Sequence, residues 1–150
     1  MSEIKFRAWN KLLKKMVRLD KIKFWHELIY EIEDNTIGGK KITFSGNNDT
    51  IELSQFTGLI DRNNRMIFEG DILWHDCHID EPPEMCIVKF AYASFYIVEK
   101  DDQDTEDYCM PLFSVAIDNK VKCPSLEVIG NIYENPELLK TQSEDINEAK

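Results

Sequence analysis

Between Thr50 and Trp74 the chain alternates apolar and polar residues and is broken at short intervals by Gly, Asn and Asp. No other feature constrains the fold as strongly. A period of two sends successive side chains to opposite faces of a strand, and the breaks leave no room for a long amphipathic helix. Thr50-Ile51-Glu52-Leu53-Ser54-Gln55-Phe56 reads as one strand, expected to end at Thr57-Gly58. Leu59-Ile60 and Met66-Ile67-Phe68 flank Asp61-Arg62-Asn63-Asn64-Arg65. Asp and Asn tolerate left-handed backbone angles and bond their own turns, so this stretch is a tight hairpin. Glu69-Gly70-Asp71 is a second turn, and Ile72-Leu73-Trp74 leads out of it.

The same signature recurs on both sides. Ile4, Phe6 and Ala8 alternate with Lys5, Arg7 and Trp9; Asn10-Lys11 reads as a turn and Met16 to Leu19 as a returning strand. Residues 22–32 satisfy both strand and helix spacing: the aromatics favour strand, Glu27 and Glu31 favour helix, and the segment stays open. Ile42-Thr43-Phe44 is a short strand. Met85 to Phe90 is an apolar, largely β-branched run that pairs with Ser94 to Val98 across Ala91-Tyr92-Ala93. Asp101 to Asp107 holds five acids in seven residues, a solvated loop, and Met110 to Ile117 is a strand or turn with Pro111 at its edge. Leu126 to Ile129 is the last strand, closed by Gly130. Asn135-Pro136-Glu137-Leu138-Leu139 carries an N-cap residue, Pro at N1 and an acid at the positive dipole end, which predicts a short C-terminal helix. Lys140 to Lys150 is a polar tail.

Many short strands and few helices point to a mainly β protein, a small barrel or sandwich. The expected division is an N-terminal β or mixed extension over 1–49, a β core over 50–140 and the tail over 141–150. Trp9, Phe56, Leu59, Ile72, Trp74, Ile87, Val88, Phe90, Ile97, Val128 and Ile129 are the expected core.

Of the 150 residues, 43% are hydrophobic, yet no run approaches the ~20 apolar residues of a membrane helix. Met1-Ser2-Glu3-Ile4-Lys5 lacks the layout of a secretory signal. A soluble cytoplasmic chain with no membrane partner is expected, and its four cysteines, Cys77, Cys86, Cys109 and Cys123, with no CxxC spacing, are expected to be free thiols. The net charge of −10 is unevenly held: residues 1–60 sum to +2 and residues 61–150 to −12. Lys5, Arg7, Lys11, Lys14, Lys15, Arg18, Lys21 and Lys23 face only Glu3 and Asp20 in their segment. Such a segment suits phosphate backbones, but the field of the whole chain repels them, so nucleic acid is not the expected partner.

Three stretches carry a kinship. Ile4-Lys5-Phe6-Arg7-Ala8-Trp9-Asn10 with Lys14-Lys15-Met16 resembles the opening of the YopX family of phage and prophage proteins. Gln55-Phe56-Thr57-Gly58-Leu59 through Ile67-Phe68-Glu69-Gly70-Asp71-Ile72 resembles its central motif, and Val128 through Leu139 its closing one. The three occur in the family's order. The resemblance implies a phage or prophage origin, a small SH3-like barrel in the C-terminal half and self-association; it implies no biochemical activity and no catalytic residues. One departure is Asn64, where the family's hairpin has Gly; Asn still permits the left-handed turn.

Few residues invite chemistry. Glu69 and Asp71 flank a turn glycine, where acids bond free amides; joined by His75 they form the alternative site, that of a metal-dependent enzyme. His75, Cys77 and His78 with Cys86, Cys109 and Cys123 raise the question of zinc, but strand alternation sends His75 and Cys77 to one face and His78 to the other, and no second ligand pair has the usual spacing. No nucleophile elbow, P-loop or dinucleotide fingerprint occurs. Tyr92 and Tyr96, beside a hairpin tip, are the candidate binding residues, since exposed rings suit peptide recognition. The acidic second half admits a further alternative, a DNA mimic that occupies a host protein's basic cleft; solubility is its ordinary role. The expectation is a non-catalytic chain without cofactor or metal, binding either itself, as a homo-oligomer, or a host factor.

Overall fold

A computed structural model of the chain describes residues 5–18, 21–26, 29–34, 42–46, 51–76, 79–100, 109–117 and 121–140. The acidic stretch 101–107, the tail 141–150 and the residues Cys77 and His78 lie outside the described residues. The chain divides into two units, Met1–Phe56 and Thr57–Lys150. The boundary falls inside a strand.

In the first unit the alternating segments become β1 (Phe6–Asn10), β2 (Lys15–Arg18) and the start of β6 (Ile51–Ile60). They pair antiparallel in the order β2-β1-β6, with Ala8 opposite Val17 on one side and Leu53 on the other. Ala8 and Ile51 are buried. The turn between β1 and β2 is set by Asn10, whose Oδ1 accepts the amides of Leu12 and Leu13, each at 3.0 Å. Lys14 completes it with a left-handed φ of 54°. Of the segment that the sequence left open between helix and strand, residues 22–26 and 29–32 are strand. β3 (Lys21–His26) pairs with β4 (Ile29–Asp34), and β4 with β5 (Ile42–Gly46), as a three-stranded antiparallel sheet.

β6 does not end at Gly58. The strand continues to Ile60 because glycine, with no Cβ, adopts a φ of 85° inside it without clash. Thr57 secures the irregularity: its hydroxyl donates to the Ile67 carbonyl at 2.7 Å and accepts the Leu59 amide at 3.2 Å. Ile67 belongs to β7 (Met66–Phe68), the neighbour of β6 in the second unit.

The remainder of the second unit is a five-stranded antiparallel sheet that curls into a half-barrel. Its order is β11 (Cys109–Pro111), β10 (Ser94–Glu99), β9 (Glu84–Ala91), β8 (Asp71–His75) and β12 (Leu126–Asn131). Leu59, Ile67, Leu73, Cys86, Val88, Ile97, Leu112, Cys123 and Leu126 form its core. Val128 pairs with Leu73 but Gly130 with Ile72, so Ile129 is an extra residue in β12, a bulge.

Several expectations need correction. Leu59, Ile72, Ile87, Val88 and Ile97 are buried, whereas Trp9, Phe56, Trp74, Val128 and Ile129 are half-buried. Phe90 is 50% exposed: it lies on the core-facing side of β9, opposite Phe95, but next to the hairpin tip, past the end of the buried cluster. The C-terminal helix is a single 3-10 turn, Pro136–Leu139, and Asn135 gives it no side-chain cap. That side chain is engaged elsewhere, its Oδ1 accepting the Asn131 amide at 3.3 Å.

Candidate functional site

Two parts of the second unit carry candidate chemistry: the glycine–acid turns and the tip of the β9–β10 hairpin.

The turns are built first from backbone necessity. Gly70 has a φ of 85°, and a Cβ there would lie 3.1 Å from the Tyr133 ring. Its amide donates to Val88 O and its carbonyl accepts the Ile132 amide, each at 2.9 Å. Asp71, buried, opposes Asn131 in the β8–β12 ladder, and its Oδ2 accepts the Phe68 amide at 2.8 Å. Asn131 closes the other side: its Oδ1 accepts the amides of Tyr133 and Glu134, and its Nδ2 donates to Glu134 Oε1 at 3.0 Å. Gly130 sits so close to Asn135 that a Cβ would meet its Oδ1 at 2.5 Å.

Asp61 works in the same way. It is fully buried, its Oδ1 accepts the amides of Asn63 and Arg65 at 2.8 Å each, and its Oδ2 accepts the Val128 amide at 2.9 Å. Asn64 takes the left-handed φ, 63°, that the departure from glycine required. Arg62 N donates to Leu126 O at 3.0 Å, and the Arg65 guanidinium to Val128 O at 3.1 Å. The outer edge of β12 is thereby covered by a loop rather than left open to another strand. Sequence reasoning identified the hairpin but missed that its first Asp is buried; Asp followed by Asn two and three residues later, with Arg at four, was the available signal.

Glu69 and Asp71 flank the Gly70 turn, but His75 is not drawn in beside them. Asp71 and His75 occupy opposite ends of β8, and four residues of strand separate them by about 13 Å. Among the described residues no three His, Cys, Asp or Glu side chains are grouped to hold a metal ion. Cys86 and Cys123 are buried free thiols. Burial, with the Asp61 charge adding to it, raises the Cys123 thiol to about 11.

At the hairpin tip the geometry is different. Tyr92 and Ala93 form the loop between β9 and β10, both with left-handed φ, 49° and 59°. Tyr92 is 74% exposed. Phe90 meets Phe95 edge-on, ring centres 5.0 Å apart. Tyr96, opposite Lys89 and Pro111, is half-buried on the other face of the sheet from Phe95. The two tyrosines singled out from the sequence are thus unequal, and Phe90, assigned to the core, is the ring that accompanies Tyr92.

The family described as YopX protein matches residues 5–140. The chain belongs to the YopX family. Two solved structures share the fold. Protein EF1440 from Enterococcus faecalis is 24% identical with a TM-score of 0.60, and the match covers 93% of this chain and all of that one. Protein yopX from Bacillus subtilis is 18% identical with a TM-score of 0.59 and the same coverage. No curated protein matches this chain. Within the matched range, residues 61–71 meet residues 128–132, and the polar groups described there bond backbone amides. Among the described residues no helix is long and apolar enough to cross a membrane.

Proposed function

We propose that this YopX chain is a non-catalytic protein-binding module, encoded by a phage or prophage and acting in the host cytoplasm, and that it binds through the tip of the β9–β10 hairpin. The partner is a second copy or a host protein. One observation carries the reading: Tyr92 and Ala93 both hold left-handed angles. A two-residue turn of this kind is formed with little strain by Asn-Gly. Side chains with a Cβ pay about 1 kcal/mol each for it, and strain of this kind gathers where a fold presents a functional group. Here it presents a largely exposed ring beside a half-exposed one, and rigid aromatics are the preferred anchors of protein interfaces.

The test compares the wild-type chain with a double variant, Tyr92→Asn with Ala93→Gly, which keeps the turn and removes the ring. Sedimentation velocity reads self-association, and capture from bacterial lysate at low and high salt reads host partners. Loss of the partner or of the oligomer in the variant is expected. Unchanged association in both measurements overturns the reading. Capture of basic DNA-binding proteins released by salt, and insensitive to the variant, would favour the acidic-mimic alternative, which the −12 of residues 61–150 supports.

A further inference from the structure

The β1–β2 turn has no place in that reading. Leu12 is 76% exposed and Leu13 64%, and both sit at the end of a hairpin where two apolar side chains gain nothing from water. Their backbone is not loose: Asn10 Oδ1 takes both of their amides, and Lys14 turns the chain back. Lys11, Lys14 and Lys15 are all exposed around them. The Lys11 ammonium lies 3.6 Å from the Glu52 carboxylate, an exposed pair. The result is an apolar point with a cationic collar on a braced hairpin.

We infer that this turn is a docking element for an anionic lipid surface. A tip of two leucines falls far short of the roughly 800 Å² that each partner contributes to a standard protein interface. A bilayer makes no such demand. Its interface accepts an inserted apolar point without a matching cavity, and the lysine stems can lie along the acyl boundary while their ammonium groups meet headgroup phosphates. Each lysine held near an anionic leaflet is worth about fivefold in partitioning. The chain's net −10 does not cancel this, because charges more than about 8 Å from the surface are screened at physiological salt. That no helix among the described residues is long and apolar enough to cross a membrane does not bear on touching one.

The experiment is co-flotation of the full chain with vesicles of pure phosphatidylcholine or of phosphatidylcholine with 30% phosphatidylglycerol. The wild type is expected to float with the anionic vesicles and not with the neutral ones, and 0.5 M salt should reduce that binding. A double variant, Leu12→Ser with Leu13→Ser, is expected to lose about tenfold or more of it, and Lys11→Glu with Lys15→Glu as much again. Because both leucines are exposed, circular dichroism melts of the leucine variant should match the wild type, and the lysine variant should lose only the small contribution of the exposed Lys11–Glu52 pair. Failure of the wild type to float with anionic vesicles overturns the inference, as does equal binding by the leucine variant. If that variant instead lowers the oligomeric state in sedimentation velocity while no vesicles are bound, the tip is a protein contact and the lipid assignment is wrong.

Discussion

The Asp61 carboxylate accepts the amide of Val128, 2.9 Å away and 67 residues further along the chain. Its other oxygen closes the 61–65 loop, so one buried side chain ties the first hairpin of the half-barrel to its last strand. Asp61→Ala leaves three amides without that acceptor. The expected loss is about 3 kcal/mol in urea denaturation, given ~1.5–3 kcal/mol for a hydrogen bond to a charged group. A loss under about 1 kcal/mol would mean that water replaces the carboxylate.

Core truncation should separate the buried leucines from the half-exposed Phe90. Leu73→Ala and Leu126→Ala, both at fully buried positions, should each cost about 2–5 kcal/mol. Phe90→Ala should cost about 1 kcal/mol, mostly its edge-on packing with Phe95. Equal losses would return Phe90 to the core.

Gly130→Ala forces a Cβ to 2.5 Å from Asn135 Oδ1. Destabilisation of about 2 kcal/mol is expected from the clash and the displaced side chain. In an Asn135→Gly background the same substitution should cost less than half as much, a coupling that a double-mutant cycle measures directly.

Glycine usually lowers stability; at position 93 it should raise it. Ala93 carries a φ of 59°, and relief of that strain outweighs the added freedom of the unfolded chain. Ala93→Gly is expected to increase the melting temperature by about 1–3 °C.

Cys123 makes stability fall at high pH. Its thiol ionises near 9.0 when unfolded and about 11 when folded. Below 9 both states hold the proton and nothing changes. Between 9 and 11 the unfolded chain releases it first, so stability declines by up to about 1.4 kcal/mol per pH unit. Cys123→Ala should flatten that part of the profile, and native Cys123 should resist iodoacetamide at pH 8.

The strands were legible because alternation is a local signal. β1, β7 and β9 lie where the residue pattern places them, β6 begins there, and Asp71 bonds its own turn as acids beside a glycine do. What the pattern could not supply was depth. Trp74 and Val128 alternate like core residues, yet their exposure depends on how the sheet curls and where its edges fall. Phe90 differs from Val88 only by one step toward a hairpin tip. Gly58 was read as a stop because glycine ends strands by default; a hydroxyl one residue earlier, bonding across to Ile67, lets the strand pass through. In the same way Asn135 has the identity of a helix cap, but its Oδ1 accepts the Asn131 amide instead, in space that Gly130 leaves open. The exposure of Leu12 and Leu13 had no signature at all, since an apolar pair beside a turn reads equally well as packed or bare.

The place of β12 has a consequence for synthesis. Residues 126–131 complete the ladder along β8, which leaves the ribosome some fifty residues sooner. During that interval the nascent half-barrel offers β8 with one flank unmatched, an open invitation to strand exchange or to a chaperone. Folding of this unit is therefore an event that follows translation of its end, and premature termination before Leu126 should yield aggregates rather than a smaller native protein.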